Sequence, residues 1–141
     1  MANKNPIYID QNAVSTEFII PKEYANTRIY LTITVELIDT NWKYASSHIV
    51  FLDGSNLFPQ ISPEPEDLKI DYAKNLEGLE LDINSHISRF NFQNTNNSKP
   101  SIVKYTLIIE AGDDLLEEFE KKSKNQNPVD FNSIIKFKLE Q

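Results

Sequence analysis

Cysteine is absent from this chain. That excludes a disulfide framework, a thiolate metal site and a cysteine nucleophile, and it leaves burial to hold the fold together. It also fits a reducing compartment. Glycine is scarce: Gly54, Gly78 and Gly112 stand alone. Three isolated glycines build neither a P-loop nor a dinucleotide fingerprint nor a G-x-S-x-G elbow. Nucleotide chemistry by those routes is excluded, and a serine hydrolase would depend on His48 or His86 as its base. No apolar run approaches the roughly 20 residues of a membrane helix. The opening "MANKNPIYID" lacks the apolar core of a secretory signal.

Positive charge is the remaining deficit. Fourteen basic residues against 21 acidic ones leave a net charge of −7, and only Lys121, Lys122 and Lys124 cluster. A nucleic-acid partner needs a concentrated positive face, because counterion release drives that association. The expectation is a soluble, cytoplasmic protein with neither a membrane nor a nucleic acid among its partners.

What the chain does have is large side chains: eight Phe, six Tyr and one Trp in 141 residues. A chain of this length can bury roughly 68–70% of its unfolded surface. It is read as one domain, 1–141.

Strand signals dominate. In "RIYLTITVEL", Ile29, Leu31, Ile33, Val35 and Leu37 alternate with polar residues, the period of a strand with one dry face. Its lack of edge protection makes it either central or paired to another chain. "HIVFLDG" follows the loop "DTNWKYASS". From Ser55 to Glu66, Pro59, Pro63 and Pro65 mark an irregular connection, and "LKIDYA" reads as a short strand or turn. A further strand starts at Leu79; sending Phe90 and Phe92 to its inner face requires a bulge near Ser88, unless both faces are partly covered. "SIVKYTLIIEAG" returns as if in a hairpin with a long tip. "DDLLEEFEKKSK" reads as a helix, with Asp113 or Asp114 as cap and Glu117–Lys121 and Glu118–Lys122 four apart. "VDFNSIIKFKLEQ" closes as a strand whose Lys136 and Lys138 suit an edge. The fold class expected is an all-β, antiparallel β-sandwich, jelly-roll or C2-like, with one short α-helix near 113–124.

Chemistry-bearing residues are few. In "LELDINSH", Glu80, Asp82, Asn84 and His86 alternate with Leu79, Leu81, Ile83 and Ser85. Neighbours on one strand face lie about 6.5–7 Å apart, so only adjacent pairs could share an ion, and a zinc site needs three or four donors. The alternation marks a solvated face. Asp39, Asp53, Asp113 and Asp114 follow strands, as calcium ligands do in some sandwiches; whether those loops meet is left open, and EF-hand spacing is absent.

The best candidates for a contact surface are Trp42 and Tyr44 in their loop, with Phe58 in the proline segment. Such aromatics stack on sugars or anchor protein partners, or fold back to plug the end of a sandwich. The function expected is that of a non-enzymatic structural or accessory protein acting through protein–protein contacts, in a larger assembly or as a homo-oligomer. The alternative is a ligand-binding module, with carbohydrate as the ligand. No cofactor and no metal are expected.

Overall fold

The computed structural model describes residues 15–38, 42–58, 64–90, 101–123 and 127–141. Nine strands carry the fold: β1 (Ser15–Ile20), β2 (Arg28–Leu37), β3 (Lys43–Leu52), β4 (Ser55–Phe58), β5 (Leu68–Tyr72), β6 (Glu80–Phe90), β7 (Val103–Ala111), β8 (Asp114–Lys122) and β9 (Val129–Leu139). Single 3-10 turns at Lys22–Tyr24 and Ala73–Asn75 are the helical content of the described residues. One sheet has the order β1-β9-β6-β3-β4 and the other β5-β2-β7-β8. The β1–β9 pair is parallel; the remaining pairs are antiparallel.

The period-two pattern explains the layering. Ile29, Leu31 and Ile33 of β2, Leu81, Ile83 and Ile87 of β6, Leu107 and Ile109 of β7, and Ile135 and Phe137 of β9 are all buried. Within each strand they lie two or four residues apart because alternate side chains leave a strand on opposite faces. Across the layer the Tyr105 ring stacks on Phe131 at 4.4 Å with an interplanar angle of 3°, which joins β7 of one sheet to β9 of the other. The all-β sandwich is therefore the architecture of this chain.

Several details depart from the sequence-based expectations. Residues 114–122 form β8, not a helix. Gly112, at φ 58°, and Asp113 make a two-residue turn between β7 and β8, and Ala111 pairs with Asp114 across it. Gly-Asp is a tight-hairpin signal, and cross-strand pairing to β7 outweighs charge pairs worth a few tenths of a kcal/mol, about 0.2–0.5 each. A register shift between Ile109 and Glu110 leaves Leu116 as the extra residue, so both Leu116 and Phe119 pack against the core.

The β6–β7 hairpin is replaced by a crossing, since β6 and β7 belong to different sheets. β9 is flanked on both sides, by β1 and β6, so Lys136 and Lys138 do not guard an edge; β2 is central between β5 and β7. β6 keeps one register against β3 and β9 throughout, with no bulge at Ser88. Arg89 takes the inward position and Phe90 is exposed; Phe92 lies outside the described residues. β3 begins at Lys43, so Tyr44 stands on a strand and not in a loop.

Candidate functional site

The outer face of β6 carries the alternating polar residues of "LELDINSH". Asn84 and His86 are exposed, and Glu80 and Asp82 are half-buried. His86 Nδ1 meets Asp130 Oδ1 of β9 at 2.6 Å, a cross-strand pair on a wet face. Asp82 sits between Phe51 and Ile134 in register. Its Oδ1 has no hydrogen-bond partner, and burial, with Glu80 adding to it, raises its carboxyl above the ordinary range. Among the described residues no group of three His, Asp or Glu side chains is placed to hold a metal ion. Asp53 and Asp113 turn opposite sheets, and Asp39 lies outside the described residues.

Inside the layer runs a polar chain that alternation did not single out. His48 Nδ1 lies 2.7 Å from Ser85 Oγ, and Ser85 Oγ lies 2.6 Å from Tyr105 OH. On the other side His48 Nε2 stands 3.8 Å from Glu64 Oε1, which also accepts the Ser46 hydroxyl at 3.0 Å. Acid, imidazole and serine stand in the order of a nucleophilic triad. His48 and Ser85 are each 1% exposed, however, and the serine hydroxyl is shared with Tyr105. No substrate carbonyl has access to a hydroxyl so enclosed; what the chain does is tie β3, β6 and β7 across the two sheets. Desolvation lowers the His48 pKa, with Glu64 opposing, so the ring is neutral near pH 7. The signal lay in "SSHIV", where apolar residues occupy both parities and leave the inward one ambiguous.

Trp42 and Tyr44 do come together. With Leu37 and Lys43 they line a hollow of about 300 Å³ at one end of the sandwich. Tyr44 follows the inward parity of Ser46 and His48. Its hydroxyl donates to Val35 O at 3.5 Å, and burial, then Glu64, pushes its pKa up to about 12. Tyr44 thus closes the end of the core, while Trp42 is half-buried beside it. Phe58 is not part of this place. It pairs with Val50, six residues along β3 from Tyr44 and therefore about 20 Å away at roughly 3.3 Å per residue.

The same end gathers exposed apolar surface and an unexpected charge. Ile38 donates its N–H to Ile102 O at 3.0 Å, placing two isoleucines side by side at 53% and 37% exposure. Phe90 is opposite Lys43. Behind them Arg89 is only 3% exposed. Its Nη1 donates to Ser101 O and, at 3.5 Å, to Ser123 Oγ. Asn127 clamps its backbone with bonds of 2.9 and 2.8 Å. Residue spacing placed Arg89 near a register break and missed it as a buried group.

At the other end Tyr30, Asp67, Glu110, Gly112 and Asp113 line a hollow of about 370 Å³. Burial, then Asp67, raises the Glu110 pKa.

Among the described residues no helix is long and apolar enough to cross a membrane. Comparison with protein-family models, with curated proteins and with solved structures yields no match.

Proposed function

We propose that the chain is a non-catalytic structural or accessory protein that works by protein contact, and that it makes the contact with the end formed by the close of β2, the start of β3, the close of β6 and the start of β7. The observation that carries this reading is the concentration of apolar surface there: Ile38, Phe90 and Ile102 are exposed beside the hollow of Leu37, Trp42 and Tyr44. Contiguous exposed apolar groups rimmed by polar ones mark interaction sites, and buried aromatics at such a centre supply most of the binding energy. Three of the four sheet edges are poorer candidates. β4 and β5 are four and five residues long, and β8 is bulged and densely charged, the devices that discourage edge pairing.

The partner to test first is a second copy of the chain. Light scattering across a concentration series measures it: the wild type is expected to gain mass with concentration, and Ile102→Asp to stay at the mass of one chain. A wild type that remains monomeric throughout the series speaks against the reading.

Carbohydrate binding is the second reading, favoured by Trp42 and Tyr44 lining one hollow. It is weaker because the Tyr44 hydroxyl already has a protein acceptor, which leaves two donors, the Trp42 indole N–H and the Lys43 ammonium, and no side-chain acceptor among the described lining residues. Titration of the Trp42 fluorescence with oligosaccharides separates the two.

A further inference from the structure

Arg89 is a cation sealed in the sandwich, and no carboxylate among the described residues faces it. Only one of its three nitrogens is used: Nη1 serves Ser101 and Ser123, while Nε and Nη2 are buried without a hydrogen-bond partner. Those two nitrogens lie on the same edge of the guanidinium, and their parallel N–H groups match the two oxygens of a carboxylate. Burying a charge without a counterion is strongly unfavourable, because the interior does not replace the hydration it loses. Nevertheless the surroundings hold the group in place: Asn127 bonds both its N–H and its C=O, and Ser123 Oγ is itself fixed by the Val103 N–H at 2.9 Å.

Arg89 does not itself line the hollow, but its position on β6 adjoins it in register. Arg89 is the cross-strand partner of Tyr44, on the same inward face, and Val103 is the partner of Leu37. Tyr44 and Leu37 both line the hollow, and Lys43 adds an exposed cation at its rim.

We infer that Arg89 is the receptor for a carboxylate, taken on its Nε and Nη2 edge by a ligand that enters through the hollow of Leu37, Trp42, Lys43 and Tyr44. The inference deepens the contact reading by naming the group a partner would carry, and it rests on that reading only for the partner being another protein chain.

The test uses the full chain and two probes, sodium acetate and N-acetylglutamate, against sodium chloride at equal ionic strength. Two signals are followed: the emission of Trp42, the single tryptophan, and the NMR resonance of the Arg89 Nε–H. Both are expected to move saturably with the carboxylates and not with chloride. In Arg89→Lys, which keeps the charge and loses the fork, binding should weaken at least tenfold. If that variant does not fold, the wild-type Nε–H resonance decides alone. A second arm raises the protein concentration with no carboxylate added. Movement of the Nε–H there assigns the carboxylate to an acidic side chain of a second copy, and movement only with the probes assigns it to a small molecule. No movement in either arm overturns the inference. A carboxylate response in a protein that never self-associates removes the contact reading and leaves the site. Self-association with an unmoved Arg89 does the reverse.

Discussion

At the scale of single residues, the buried polar groups of this sandwich differ in whether they are answered. Ser85 accepts and donates within the His48–Ser85–Tyr105 chain, whereas Ser133, equally buried, has no partner for its Oγ. Removing Ser85 strands two buried groups, so Ser85→Ala is expected to cost about 1–3 kcal/mol, while Ser133→Ala should be neutral or slightly stabilising. Urea denaturation of the two variants measures the contrast, and equal effects would contradict the assigned bonding. His48 gives a pH dependence of known sign. Its folded pKa lies below the unfolded value because burial disfavours the imidazolium, against the pull of Glu64. The folded chain therefore binds less proton, and stability present above about pH 6.5 declines as pH falls toward the folded pKa. The groups facing His48 are Ser46 and Glu64 on one side and Ser85 with Tyr105 on the other. Denaturation midpoints at pH 7.5 and 5.5 should differ more for the wild type than for His48→Gln; an equal difference places the titration elsewhere.

At the scale of elements, what could be read from sequence followed one rule and failed where that rule lost its contrast. β2 and the first half of β6 alternate cleanly, and their buried residues are the ones alternation names: Ile29, Leu31, Ile33, Leu81 and Ile83. β3 mixes parities, with His48 inside and Ile49 exposed, so neither the polar chain nor the strand's start at Lys43 was legible. β1 lies parallel to β9, a long-range pairing that no local pattern announces. Arg89 was hidden because a buried cation looks, in sequence, like a surface residue. β8 failed for a different reason: its acidic and basic residues sit four apart as in a helix, while its stability comes from β7. Amide exchange separates the two readings, because an edge strand should protect alternate amides between Asp114 and Lys122 and a helix successive ones. The turn that makes β8 possible is also testable. Gly112 has φ 58°, and an added Cβ would lie 3.3 Å from Thr27 Cγ2. Gly112→Ala is expected to cost about 1–2 kcal/mol for the left-handed backbone, and an unchanged denaturation midpoint would rule out that conformation.

At the scale of the molecule, the two ends differ in kind. One collects Asp67, Glu110 and Asp113 around an acidic hollow; the other collects Ile38, Phe90, Ile102, Trp42 and the cations Lys43 and Arg89. Between them the core is continuous, and Leu107→Ala, at its centre and fully buried, should cost about 2–5 kcal/mol through the cavity it leaves, as read by urea denaturation. The apolar end is the part that stability does not explain, since isoleucines as exposed as Ile38 and Ile102 contribute little to a monomer. The most direct test of the account is an amide NMR spectrum recorded from micromolar to millimolar protein. Shifts that grow with concentration and are confined to Leu37 and Ile38, Trp42 to Tyr44, Phe90, and Ser101 to Val103 are the expected result. Shifts centred on β8 or β1 instead, or spectra identical across the range, would contradict it.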